Sequence, residues 1–333
     1  MKENVSLADT TTLKVGGEAR YFFEALTEED IVRASAFAAE RKLPIFVLGG
    51  GSNILFSDAG FPGVVIRIKT QDISYEDHGG AALGRATAGV SWDAFVADAV
   101  SRGLWGVENL SGIPGTVGAA PIQNIGAYGA EIKDIVESVR ALDMRTGEEK
   151  IFSNADCRFE YRDSFFKTEE GRHFIVLEVT FRLSKEPKPN ISYKDLKEYG
   201  FSELSPQSIR SAVLEIRSKK FPDLSKVGTA GSFFKNPIIS QTHFDTLKKK
   251  YPELPFFAAK NGVKVPLAFI LDKVCDLKGF AKGPVGLFQN QPLVLVNTGG
   301  ATAKEIRDFV AGIKKIVKDK TGIDIEEEVV CMP

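Results

Sequence analysis

The chain has 333 residues, 43% of them hydrophobic, and its 43 basic and 44 acidic residues leave a formal net charge of −1. That length holds two or three domains with a substantial core, and the balanced charge excludes the broad basic footprint of a nonspecific nucleic-acid or membrane-surface binder. The three scattered cysteines, Cys157, Cys275 and Cys331, suggest neither a disulfide framework nor a zinc site; the start MKENVSLADT has no leader pattern, and no apolar run approaches the ~18 residues of a membrane span, so a cytoplasmic protein is expected.

In chain order, the first segment reads as strand 21–25, a helix over 28–41 capped by Thr27, strand 44–48, a glycine run and strand 64–68. The glycines, Gly49-Gly50-Gly51-Ser52-Asn53, follow directly on an apolar strand, where open α/β sheets bind ligands. From about Thr70 to Leu183 strands dominate, with one helix over 91–102 stopped by Gly103, a hairpin at Thr146-Gly147-Glu148 and a strand over 174–181. The stretch from Glu108 to Gly129 is too rich in glycine for helix or strand and marks a functional loop. A charged linker with two prolines, 184–189, precedes helices near 208–219, 242–250 and 266–275 and strand 293–297. Thr302 and Glu305 form a capping box opening a helix to about Asp319, and a strand over 323–330 closes the chain.

Five segments have compositions suited to chemistry. Gly49–Asn53 can bring bare backbone N–H groups to a diphosphate, although it lacks the G-x-G-x-x-G spacing that opens a dinucleotide-binding helix, and an ordinary tight turn explains it equally well. The long loop carries almost no charge, while Gln123 and Asn124 add amides able to hydrogen-bond a neutral heterocycle such as a flavin ring. Ser232, in Gly228-Thr229-Ala230-Gly231-Ser232-Phe233-Phe234-Lys235-Asn236-Pro237, is a nucleophile, an acid or a turn former. Phe234 stands where a hydrolase elbow needs glycine, and the three histidines, His78, His173 and His243, lie outside all these loops. That leaves no obvious base for a serine relay, no histidine metal cluster and no tether for covalent flavin. Arg217, Lys219 and Lys220 form the best local basic cluster, which either complements a helix C-terminus or holds phosphate. In Glu326-Glu327-Glu328, alternation puts Glu326 and Glu328 on one face, and a solvated edge is the plain reading.

Taken in order, these segments resemble the UDP-N-acetylenolpyruvoylglucosamine reductase family over nearly the whole chain. The resemblance rests on Leu48–Asn53, Ser111–Gly129, Tyr161-Arg162-Asp163-Ser164, Ala230–Pro237 and Glu326–Val329. It implies an α+β protein of three domains, two forming a vanillyl-alcohol-oxidase-like FAD-binding unit and the third an α/β substrate-binding domain. The expected divisions are 1–69 joined by a terminal strand in 321–333, 70–204 with a lid loop near 190–200, and 205–320.

The resemblance further implies noncovalent FAD held by Gly49, Gly50, Gly51, Ser52, Asn53, Ser111, Pro114, Gly115, Gly118, Ala119, Gln123, Asn124, Gly126, Ala127 and Tyr128. NADPH would reduce the flavin, which would then send hydride to UDP-N-acetylglucosamine enolpyruvate. Arg162 and Glu328, the latter protonated or through a hydrogen bond, would stabilise the enolate-like charge, and Ser232 would protonate the carbon. Tyr161, Arg217, Lys220, Asn236 and Gln291 would contact the substrate, and Tyr193 would be the lid residue. The tail Val330-Cys331-Met332-Pro333 is shorter than the family's, and Glu326 remains the rival of Glu328. An FAD oxidase and a catalytically dead sugar-nucleotide regulator are the competing readings; the match around Ser232 disfavours the first, and the intact Arg162, Ser232 and Glu328 disfavour the second. A monomer acting without metal is expected.

Overall fold

The computed structural model describes residues 1–332, and its two predicted helix-capping signals are both in place. Thr27 accepts a hydrogen bond from the Asp30 amide while the Asp30 carboxylate accepts from the Thr27 amide, opening helix Glu28–Glu40. Thr302 and Glu305 reciprocate in the same way at helix Ala303–Thr321. Gly103, at φ +71°, follows helix Trp92–Ser101 in the left-handed region, where a residue without Cβ is least strained.

The chain divides into two units, the first comprising residues 1–5, 19–50 and 62–218. It holds a four-stranded sheet in the order Lys2–Ser6, Glu18–Ala25, Phe61–Ile68, Ile45–Leu48. A five-stranded antiparallel sheet follows, in the order Glu149–Ser153, Val136–Asp143, Phe174–Ser184, Ala81–Thr87, Ile73–His78. One core runs through both, from Ile31, Ala34 and Val64 to Phe95, Val139 and Phe181. The two predicted FAD-binding halves, on either side of 69/70, thus share their buried side chains.

The second unit gathers residues 6–18, 51–61 and 219–333. Its sheet has the order Gly228–Ser232, Gln291–Asn297, Val285–Phe288, Ala281–Lys282. Helix Ala303–Thr321 buries Ile306, Phe309, Val310, Ile313 and Val317, a stripe at three- and four-residue spacing that serves one side of a core. The segment 6–18 is stitched in by Thr12 Oγ1 donating to Thr229 O at 2.7 Å and Asn297 Nδ2 donating to Leu13 O at 3.1 Å.

Three expectations need correction. The boundary at 204/205 falls too early, since most of helix Pro206–Lys220 belongs to the first unit. Its Ile209, Ala212 and Val213 pack with Trp105, Tyr128 and Leu196. The helix expected over 266–275 is one α turn, Leu267–Phe269, continued as a π-helix, Ile270–Val274. The closing strand is paired as such only at Val330–Cys331, which run parallel to Ile54–Leu55. Upstream, Ile323, Ile325 and Val329 keep the alternating burial of a strand although only Glu327 forms a bridge, to Phe234. No helix among the described residues is long and apolar enough to cross a membrane.

Candidate active site

In the first unit the two predicted glycine loops meet backbone to backbone. A Cβ built on Gly50 would lie 2.9 Å from Gly115 Cα, and one on Gly49 would lie 2.6 Å from Thr116 Oγ1. Two bare strips of main chain in contact make a surface that a diphosphate and a flat ring can approach closely, so the residues present fit a flavin dinucleotide.

The long loop is held by two consecutive residues that the sequence patterns do not single out. Trp92 donates its backbone amide to Gly115 O at 3.1 Å and its buried Nε1 to Leu110 O at 2.8 Å. Asp93 accepts from the Gly112 amide at 2.6 Å and takes both arms of Arg210 at 2.6 and 2.8 Å. The Arg210 guanidinium, then the Gly112 amide, hold the Asp93 carboxyl below the usual carboxylate range against the opposing effect of burial. Pro114, Gly115, Gly118 and Ala119 thus lie on a loop anchored at Leu110, Gly112 and Gly115.

Two predicted cofactor contacts have other work for their side chains. Asn124 is fully buried, with Nδ2 donating to Glu131 Oε2 at 3.0 Å and Glu160 O at 2.9 Å and Oδ1 accepting from the Lys133 amide at 3.2 Å. These three bonds brace the loop's own fold. The Ser111 hydroxyl, also buried, donates to Glu108 O at 2.6 Å. Gln123, Gly126, Ala127 and Tyr128 continue the loop, and Tyr128 takes φ +48°.

Arg162 sits at the tip of a tight turn closed by Glu160 and Asp163, whose backbones exchange hydrogen bonds at 3.0 and 3.2 Å. Its φ of +56° is the left-handed region, which costs a residue with a Cβ roughly 1–2 kcal/mol. The side chain donates from Nη2 to Gly126 O at 3.0 Å, and the guanidinium carbon stands 5.6 Å from the centre of the Tyr161 ring.

Also in the first unit, Arg217 lies over Gly112, where an added Cβ would come within 3.1 Å of its Nε. Burial lowers the Arg217 pKa and raises that of Tyr128 to about 12, with a contact between the two opposing both shifts. The Tyr193 ring meets Tyr128 edge-on at 5.3 Å. Tyr128, Tyr193 and Arg217, far apart in sequence, form one cluster.

In the second unit, Ser232 ends a strand that carries a bulge. Thr229 pairs with Val296 and Ser232 with Val294, so one residue is extra, and Gly231 absorbs it at φ +75°. The bulge turns Ser232 away from the alternation of its strand, while Phe233 and Phe234 are almost fully buried. The residues after Ser232 run along the terminal segment: Glu328 N donates to Phe233 O at 2.8 Å and Lys235 N to Glu326 O at 3.0 Å. Asn53 grips the same place, donating from Nδ2 to Glu328 O at 3.2 Å and accepting at its backbone carbonyl from Val330 N at 3.1 Å. At the end of the glycine run, beside Gly51 and Ser52, Asn53 therefore holds the backbone of Glu328.

The three glutamates differ in partners. Glu326 is 76% exposed and paired with Lys235, whereas Glu327 takes both oxygens to Lys314 at 3.0 and 2.9 Å. Lys220, Asn236 and Gln291 are in this unit too; Asn236 Oδ1 accepts from the Leu267 amide at 2.9 Å. Gln291 Oε1 is buried with no hydrogen-bond partner among the described residues.

Two family models match the chain: an FAD binding domain over residues 19–153 and the C-terminal domain of UDP-N-acetylenolpyruvoylglucosamine reductase over residues 223–332. The chain is similar to the UDP-N-acetylenolpyruvoylglucosamine reductase of Pseudomonas aeruginosa, at 40% identity with 98% of each chain covered. It is 39% identical to that of Bdellovibrio bacteriovorus, over 97% of this chain and 96% of the relative. Among solved structures, UDP-N-acetylenolpyruvylglucosamine reductase from Thermus caldophilus matches with a TM-score of 0.71 at 27% identity, covering 99% of this chain and 98% of that one.

Proposed function

Because the chain belongs to the UDP-N-acetylenolpyruvoylglucosamine reductase family, we propose that Ser232, Arg162 and Glu328 carry out its chemistry. The protein is an FAD-binding oxidoreductase that makes UDP-N-acetylmuramate for peptidoglycan synthesis, with NADPH as reductant. Bound FAD, once reduced, supplies hydride to the enolpyruvyl double bond.

The charge left on the substrate spreads into its carboxylate. Arg162, presented at the tip of its turn, is proposed to stabilise that charge, since a donor already in place loses nothing to reorganisation. Glu328 is proposed to hydrogen-bond the same group. The arrangement of the three glutamates supports it over Glu326, which is exposed and bound to Lys235. Ser232 then donates a proton to the carbon. A hydroxyl is a weak acid, but a carbanion is a strong base, so position matters more than a shifted pKa.

The observation that carries this reading is the pairing of the segment after Ser232 with Glu326–Glu328, which ties the proposed acid and the proposed stabilising carboxyl to one piece of backbone. Tyr161, Tyr193, Arg217, Lys220 and Asn236 are proposed to bind the nucleotide sugar. Gln291, whose buried Oε1 awaits a donor, completes that set. Each chain carries the whole set, so the unit of function is taken to be a cytoplasmic monomer, and sedimentation at single-chain mass is expected.

The test is anaerobic spectroscopy. Flavin absorbance is expected to bleach with NADPH and return when UDP-N-acetylglucosamine enolpyruvate is added. Ser232→Ala should leave the bleaching near its parent rate and slow the return by about 100-fold or more. Equal slowing of both halves would remove Ser232 as proton donor.

A further inference from the structure

We infer that Asn109 and Asn190 are positioning residues for the Tyr193 lid, a conclusion that rests on the substrate reading above. Asn109 is 2% exposed, and its Nδ2 donates to both Tyr128 O and Asn190 O at 2.8 Å. Asn190 answers from the other side: Nδ2 donates to Gly129 O at 3.0 Å, and Oδ1 accepts from Ser192 Oγ at 2.8 Å and Ser192 N at 3.3 Å. Two side-chain amides thus knit the backbone of Tyr128–Gly129 to the root of the lid segment, 81 residues away from Asn109 in sequence.

The far end of that segment is held by a different force. Tyr193 starts the one-turn helix Lys194–Lys197, whose Leu196 is fully buried with Trp105, Ile209 and Val213. Only a short span separates the polar anchor at Asn190 from the apolar one at Leu196. Tyr193, 39% exposed, is set against Tyr128 between these two anchors. A binding group held in its working register does not have to be ordered at the moment of binding, and affinity gains accordingly. Asn190→Asp tests the amide itself, because it keeps the acceptor for Ser192 but places a carboxylate oxygen against Gly129 O.

The experiment uses the FAD-loaded protein and Asn190→Asp, Asn190→Ala and Asn109→Ala. Flavin content and the limiting rate of flavin bleaching at saturating NADPH are expected within about twofold of the parent for the Asn190 variants. Their Kd for UDP-N-acetylglucosamine enolpyruvate, read from the perturbed spectrum of oxidised flavin, should rise about tenfold, or about 1.4 kcal/mol. Where Asn109→Ala loses flavin, the Asn190 pair decides. A parent-like Kd in both Asn190 variants, or equal loss of limiting rate in both half-reactions, overturns the inference. Hydrogen exchange at Ile191–Tyr193 needs no substrate: protection should fall about tenfold or more in Asn190→Ala, and unchanged exchange overturns the anchor. If the parent fails to react with the enolpyruvyl sugar, the functional reading falls, and the exchange result still judges the anchor.

Discussion

At the scale of single residues, the two glycine contacts make unequal demands. Gly50→Ala would drive a methyl into the backbone of Gly115, which cannot rotate away, so loss of bound FAD by about tenfold or more is expected from the flavin-to-protein absorbance ratio. Gly49→Ala meets a hydroxyl that can turn or be removed; a milder loss is expected, rescued by adding Thr116→Ala. Gly231→Ala has open space around its Cβ but keeps φ +75°, so about 1 kcal/mol of stability should be lost in denaturant melts. Because the bulge aims Ser232, substrate-dependent flavin reoxidation should fall further than that cost explains. The types of these residues were legible in the sequence, since glycine beside a strand and serine beside glycine signal close approach. Their partners were not. The sequence singles out Asn124 as an amide but not its three protein partners, because an amide's composition does not disclose which way it faces.

At the scale of elements, the first turn of helix Trp92–Ser101 determines the shape of the flavin-loop candidate. Asp93 titrates with a folded pKa below its unfolded value of ~3.9, so its bonds to Arg210 and Gly112 stabilise fully above that value and are lost as pH falls through the folded one. Asp93→Asn should cost about 1–2 kcal/mol at pH 7, discounted for partial exposure. The gap in melting temperature between parent and variant should close below about pH 4. The helices were readable because capping boxes and glycine stops are local. The π turn at Ile270–Val274 and the single bridge at Glu327 were not. Both depend on what the neighbouring segment supplies, and periodicity in one segment contains no record of that.

For the whole molecule, FAD should behave as a stabiliser of the folded state. Free FAD at about one hundred times its Kd adds about 2.7 kcal/mol, so flavin-stripped protein should melt several degrees lower and recover on reconstitution. The fold class was legible from the order of its strands, helices and glycine loops, but the division into units was not. A continuous sequence suggests cuts, whereas the shared core of the first unit and the threefold return of the chain to the second are decided by distant side chains. That threading has a consequence for synthesis. Residues 6–18 and 51–61 leave the ribosome early, yet their unit is completed only by 219–333. At about 5–20 residues per second, the roughly 115 residues still to come take on the order of 6–25 s. For nearly all of that interval the first unit has its whole sequence, while Asn53 waits for Glu328. The serine and carboxylate of the proposed chemistry are thus brought together only after the residues around Glu328 have been made.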